Sequence, residues 1–540
     1  MPDMRIRSWS RDERATPPAQ APADGPSSRS APDVAGWGRP PAGRTLTGRR
    51  RRPPFAARNA LLARMLGDPT DEARRLWLRR LDEWARADGD PRPPADRVVD
   101  RFAGRARASV AVLGDPGGGR AVQQAVAPVV LAAAGDTDLA VACGAIGAPA
   151  GGLRSYEERL LAPYADYPAP IYGVPGSDDW HDGLAGFMTV FCGAPPDARA
   201  PVPALTGPLW KRAVRRVCWR TSPTATPEQL AAARWYRDTD AQYSVQPGPY
   251  CAVDAGPVRL VLVDTGLTGR VDAEQARWLR AVSADDRPKI LFVARPVFAG
   301  ARLHRIPLDD GGGAGSDLNE IVTDPVYRYV AAISGGEHNY QRYPVRLRDG
   351  RILQYVVAGA AGAPLSATHR IPNVDRLAPA VFEDGFRCYP LRGDSLARFS
   401  RTHRGLLGLG SLAIRPDDAT TIMAERIGNV TPRPSTPPAE VPARARRAAG
   451  QIYPLPATGQ VLPGDPPPAL IEPRRPPLFR SVLRIDASPD EIVVSCFAAT
   501  GAGAPVLEDR TRARHDGRTV SRRGSKMSQD PQAEPCLRGS

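Results

Sequence analysis

The sequence predicts an α/β chain of the α+β kind, with β-sheets packed in layers and flanked by helices. Three observations carry this. From Ser109 onward, short and almost wholly apolar runs recur. Segments of helical spacing lie between several of them, and a small, polar loop follows nearly every run. Apolar runs without alternation are what central strands look like when both faces are covered, and strands interleaved with helices form packed layers.

Residues 1–57 are rich in Pro, Ala, Arg and Ser, with four consecutive arginines at Arg49–Arg52. That composition predicts disorder. A helical segment spans 58–107: Leu61, Leu62, Met65 and Leu66, then Leu76, Leu78, Leu81 and Trp84, recur at helical spacing over 59–88. Asp68-Pro69-Thr70-Asp71-Glu72 marks a helix start with acids in the first turn. The principal domain runs over 108–400, with strands at 109–113, 138–143, 170–174, 258–263, 289–294, 329–334 and 352–358, and a helix at 273–282. A helical extension covers 401–430, where 412–427 is amphipathic. A Pro-rich linker follows at 431–478. A small β element at 479–509 contains a hairpin around Ser488-Pro489-Asp490, and 510–540 is a basic, disordered tail.

The chain carries 73 basic and 58 acidic residues, a formal charge of +15. Residues 1–57 hold +6 of this, 431–480 hold +4 and 510–540 hold +5, so the remainder is neutral. The charge therefore sits in the tails, which argues against a folded nucleic-acid face; trimming the tails and following the salt dependence would test such binding. Seven cysteines lie far apart with no Cys-x-x-Cys pair, which predicts buried thiols in a reducing compartment. No run of 18 or more apolar residues exists, and Met1–Arg5 has no apolar core of a secretory signal, so a cytoplasmic protein with no membrane span is expected.

The strand ends deliver Gly114-Asp115, Gly144-Ala145, Gly176-Ser177-Asp178-Asp179, Asp264-Thr265-Gly266, Arg295-Pro296 and Gly335-Gly336-Glu337-His338. Ligand sites in such folds gather where strands end, so these loops predict one composite site. Asp264-Thr265-Gly266 taken alone reads as an ordinary strand-to-loop turn. His304 and His403 have no motif setting and read as surface or loop residues, and His515 as a solvated residue of the tail.

These words resemble the calcineurin-like metallophosphoesterases. The resemblance is carried by Pro163-Tyr164-Ala165-Asp166-Tyr167-Pro168, Ile171-Tyr172-Gly173-Val174-Pro175-Gly176-Ser177-Asp178-Asp179-Trp180-His181-Asp182-Gly183-Leu184 and Asp264-Thr265-Gly266 with Glu274-Gln275 and Trp278-Leu279. It continues in His338-Asn339-Tyr340-Gln341-Arg342-Tyr343-Pro344 and Ala367-Thr368-His369. It covers about 109–400 and implies a two-sheet sandwich with helices outside and two divalent cations (Mn, Fe, Zn or Mg) at the strand ends. Two cations about 3.5–4 Å apart clamp a phosphoryl group and generate a hydroxide nucleophile, which requires carboxylate, imidazole and amide ligands.

Matched position by position, the resemblance implies metal ligands at Asp115, Ser177 and His338 and a catalytic role for Asp178 and Asp179. Asp115 and His338 keep the family residue. Ser177 replaces an Asn, Asp178 replaces a His, and Gly117, Ala145, Arg295 and Gly336 stand where ligands are normally found. Alanine and glycine side chains cannot coordinate, so the retained ligands are too few for a dinuclear cage and would hold even one divalent metal weakly, or none. Arg295 and Arg342 are candidates for holding an anion without metal, with salt bridges as the alternative. Asp178, Asp179 and His181 form either a different mononuclear site or ordinary loop hydrogen bonds and caps. The readings are a pseudoenzyme that binds a phosphorylated small molecule or a protein partner, an altered but active phosphoester hydrolase, and a protein whose basic tails bind nucleic acid or acidic partners.

Overall fold

A computed structural model of the chain describes residues 69–87, 96–201 and 245–363 with short gaps, 387–389, 442–452, 480–499 and 505–514, with a few single positions besides. Two mixed sheets pack face to face. Across the larger run β1 (Val98–Phe102), β5 (Cys251–Ala255), β6 (Val258–Val263), β7 (Lys289–Val293), β10 (Tyr329–Ser334), β12 (Ile352–Ala358), β11 (Tyr340–Arg346) and β13 (Arg387–Tyr389). Across the smaller run β16 (Val506–Arg514), β15 (Glu491–Ala499), β14 (Arg480–Ala487), β2 (Ala108–Gly114), β3 (Leu139–Cys143) and β4 (Ile171–Val174). A short hairpin, β8 (Phe298–Ala299) with β9 (Arg302–Leu303), stands apart.

Successive strand residues point to opposite faces, and here both faces are covered. Val110 and Val112 of β2 meet Leu260, Ile290 and Phe292 between the sheets. Ala111 and Leu113 turn outward, into a cluster shared with α1 (Thr70–Ala87), α2 (Arg120–Ala134) and α3 (Ala185–Phe191). On the far side Val261, Val263, Leu291 and Val293 pack under α4 (Ala273–Ser283) and α5 (Leu318–Thr323). Asp272 caps α4, accepting the N–H groups of Glu274 and Gln275 at 2.9 and 3.0 Å. Strands β2, β3 and β4 run parallel, as do β6, β7, β10 and β12, so the chain leaves each sheet through a set of neighbouring carboxyl ends.

The seven predicted strands and the helix at 273–282 match within a residue or two. Corrections fall where the pattern is less apolar. The segment 58–107 also holds β1, in which only Phe102 is fully buried. The linker at 431–478 contains a helix, α6 (Ala443–Ile452), in a proline-free Ala/Arg stretch of good helix formers that buries Ala445 and Ala448. The C-terminal β element extends the smaller sheet through β14, which pairs antiparallel with β2. Its third strand, β16, runs to Arg514, past the 509/510 boundary, because its polar residues face solvent while Asp509 and Ala513 are buried. The N-terminal segment, residues 59–68, most of 412–427, His369, His403 and His515 lie outside the described residues. Cys143, Cys192, Cys251 and Cys496 are buried.

Arg342, an anion-binding candidate, is not at the strand ends. It crosses between the sheets: its Nε and Nη2 donate to both carboxylate oxygens of Asp509 at 2.7 and 2.9 Å, and Tyr340 adds its hydroxyl at 2.7 Å. All three are buried, so the arginine's charge is neutralised inside the protein. Removing one partner strands the other charge. Arg342→Met is therefore expected to cost about 3–5 kcal/mol in a denaturant titration, and Arg342→Met with Asp509→Leu to recover most of that loss.

Candidate functional site

Every predicted strand-end loop but one contributes to a single cavity of about 490 Å³. The smaller sheet supplies Asp115, Gly144, Ala145, Gly176, Ser177 and Asp178; the larger supplies Ala294, Arg295, Gly336, Glu337 and His338. The exception is the Asp264 turn, whose neighbours Thr268 and Gly269 reach the cavity instead. His304 and Arg305 also line it, although the sequence reading set His304 aside. The β8–β9 hairpin brings them there, folding back after Pro296 with His304 N–H bonded to Val297 O at 2.7 Å. Gly300, between Ala299 and Ala301 and with φ of +57°, was the available sequence signal for that turn.

The loops approach one another too closely for side chains at several points. A Cβ on Gly114 would lie 2.1 Å from Ala358 O, so β2 and β12 can end side by side only with glycine there. Gly117 does not line the cavity; it backs onto Ala145 O. Asp115, Ala145 and His338 have φ of +48°, +42° and +50°, left-handed values that cost non-glycine residues about 1–2 kcal/mol. Three residues that line the cavity thus hold strained backbone, a feature that clusters at functional sites.

Asp115 is fully buried. Its Oδ2 accepts the Gly336 N–H at 2.6 Å and lies 3.9 Å from His338 Nε2, while its Oδ1 has no hydrogen-bond partner among the described residues. Burial pushes its carboxyl well above the ordinary range, against the Gly336 and His338 backbone donors. Asp179 is buried beneath the cavity and is not one of its lining residues. Its carboxylate accepts N–H groups of Gly147, Gly176 and Ile146 at 2.5, 2.8 and 3.3 Å and the Tyr156 hydroxyl at 2.6 Å. Those bonds tie the loop after β3 to the loop after β4, and they leave Asp179, expected to be catalytic, off the cavity's lining. Burial still pushes its pKa up to about 6. Asp178 does line the cavity, 3.6 Å from buried His181. Arg295 lies on the opposite wall, donating from Nη2 to Leu267 O at 2.7 Å.

Asp264 is also structural: it accepts Arg74 Nε at 2.8 Å, Trp180 Nε1 at 3.0 Å and the Gly266 N–H at 2.9 Å.

The donor set does not fit a pair of divalent cations. Among the described residues no group of three or more His, Cys, Asp or Glu side chains stands close enough to share a metal. One Asp115 oxygen is engaged by a backbone N–H, Ala145 and Gly336 offer no side-chain donor, and Arg295 brings positive charge to the wall a second cation would approach.

No family model and no curated protein matches the chain. Solved structures similar to it include the purple acid phosphatase PPD1 from yellow lupin (Lupinus luteus) seeds, at 11% identity and TM-score 0.35, covering 78% of this chain and 58% of that one. PhoD is similar at 10% identity and TM-score 0.33, covering 79% and 74%. GAP50, the anchor in the inner membrane complex of Plasmodium, is similar at 12% identity and TM-score 0.30, covering 52% and 78%. This chain thus spans somewhat under two thirds of the lupin enzyme.

Two outcomes follow from the geometry. Ala145→Gly relieves a left-handed alanine and is expected to raise unfolding free energy by about 0.5–1 kcal/mol, read by urea denaturation. Burial pushes the Asp182 carboxyl well above the ordinary range, against the Gly186 N–H that its Oδ2 accepts at 2.8 Å. A raised carboxyl makes the folded state bind more protons, so its ionisation lowers stability as pH climbs past the unfolded value. Asp182→Asn is expected to be more stable than the parent at pH 7, with the gain vanishing towards pH 3.

Proposed function

We propose that this chain is a metallophosphoesterase-like protein whose strand-end pocket binds a phosphorylated small molecule and has given up two-cation hydrolysis. The observation that supports the reading most directly is the coordination chemistry of the pocket rim. The loops hold left-handed backbone at Ala145 and His338, and Ala145 and Gly336 carry no donor where the resemblance calls for a bridging carboxylate and an imidazole. Arg295, Arg305, His304 and His338 line the same cavity, and a guanidinium recognises a phosphoryl oxygen pair without help from a metal. Asp115, buried and pushed towards its neutral form, repels an incoming anion less than an ordinary carboxylate would.

A second reading, an active hydrolase with an altered metal site, draws support from Asp115 and His338 still facing each other at 3.9 Å. One experiment separates the two. Metal content is measured after reconstitution with Mn²⁺, Zn²⁺, Fe²⁺ and Mg²⁺, hydrolysis of an aryl phosphate and a phosphodiester is assayed, and ADP binding is followed by calorimetry. Sub-stoichiometric metal, no turnover, and ADP binding weakened about 10- to 100-fold by Arg295→Ala are expected, as befits loss of a charged hydrogen bond. Two bound metals with turnover abolished by Asp115→Ala or His338→Ala would replace the proposal with the second reading.

A further inference from the structure

We infer that helix α1 is a strap behind the pocket that joins its two walls, and that Arg74 is the positioning residue through which it seats Arg295; the effect on ligand rests on the anion-binding reading above. Thr70, Asp71, Arg74 and Trp77 share one helix face at i, i+1, i+4 and i+7. That face meets two loops belonging to different sheets. Towards the smaller sheet, Trp77 Nε1 donates to Gly183 O at 2.8 Å and the Arg74 guanidinium lies 5.4 Å from the Trp180 ring centre. Those contacts hold the turn that follows Ser177 and Asp178 on one wall of the cavity.

Towards the larger sheet, Arg74 grips both ends of the 264–272 loop. Its Nε donates to Asp264 at 2.8 Å and its Nη1 to Asp272, while Asp71 pairs with Arg270. Between those anchors lies Leu267, whose carbonyl accepts from Arg295, and Gly269, where a Cβ would come within 2.6 Å of Arg295 Nη1. The Arg295 guanidinium therefore rests on a loop whose shape is fixed from behind by Arg74. Trp180 closes the circuit, because its Nε1 donates to the same Asp264 that Arg74 holds.

Arg74 is 1% exposed, so its removal leaves Asp264 and Asp272 facing each other in the interior without a counter-charge. Their repulsion spreads the 264–272 loop, and Arg295 loses its seat. The same loss frees the Trp180 turn, so both walls respond together although they belong to different sheets.

Hydrogen exchange and pyrophosphate calorimetry on the full chain, well below its melting temperature, test this. For Arg74→Met we expect amides of 264–272 and 176–184 to exchange at least tenfold faster together, with β7 and β10 unchanged. We also expect pyrophosphate affinity to fall about tenfold, and the fall to disappear when Arg295→Met is already present. Arg74→Lys, which keeps the charge, should restore part of both. If Arg74→Met does not fold, Asp272→Asn keeps the helix cap, removes one of the two anchors and should shift both readouts in the same direction by less. Faster exchange in only one loop, exchange raised across both sheets, or pyrophosphate affinity lost equally with and without Arg295 would overturn the strap. A parent protein that does not bind pyrophosphate would defeat the anion-binding reading alone, and the paired exchange of the two loops would still decide the strap.

Discussion

Buried carboxylates stitch the carboxyl ends of the strands together, and the shape of the site depends on that stitching. Asp179 gathers backbone donors from the loops after β3 and β4, Asp115 takes one from the loop after β10, and Asp264 joins α1, the Trp180 turn and the loop after β6. Each is essentially buried, so each would be costly without its partners. The loops cannot drift apart without leaving a charge or a donor unsatisfied. This is why a rim with several glycines, alanines and a serine holds a defined cavity.

The sequence made the scaffold legible because the central strands are apolar on both faces. Residues 258–263 and 329–334 have no alternative use than burial between layers, and both are strands whose every residue is buried. β11 was harder to see, since Tyr340–Arg346 contains Gln341, Arg342 and Pro344; it is held by seven register pairs with β12 and by the hidden Asp509. Nothing local marks Arg342 as buried: its partner lies 167 residues away on another sheet. The site divides in the same way. The loops could be found because they follow strands, but the roles of Asp178 and Asp179 could not be told apart, since adjacent carboxylates in one turn point to opposite destinations. His304 and Arg305 reach the cavity through a hairpin of two-residue strands, which leaves almost no periodic trace.

The strap adds a second constraint, of longer range. On α1 the helical spacing of Leu76, Leu78, Leu81 and Trp84 marks a packing face, and Leu78 packs as expected beside buried Trp77. Arg74 sits on the same face and is as fully buried, so hydrophobic periodicity alone cannot distinguish a filler from a charge that organises two loops. The distinction comes from the count of acids it meets: Asp71, Asp264 and Asp272 converge on one guanidinium, and a planar fork with five donors can satisfy several carboxylates where an ammonium could not.

Backbone and side chains at the rim therefore answer to different pressures. A left-handed alanine at 145 gains nothing from its own conformation; it persists because Gly144, Gly176 and Asp179 fix the loop around it. Changing that conformation would mean re-routing three strand ends and their buried carboxylates at once. Changing a coordinating side chain to alanine or glycine disturbs none of that. A pocket of this shape is thus what the fold enforces, and its chemistry has to be read from the groups that line it. Here those groups are the carboxyls of Asp115, Asp178 and Glu337, the guanidinium groups of Arg295 and Arg305, and the imidazoles of His304 and His338.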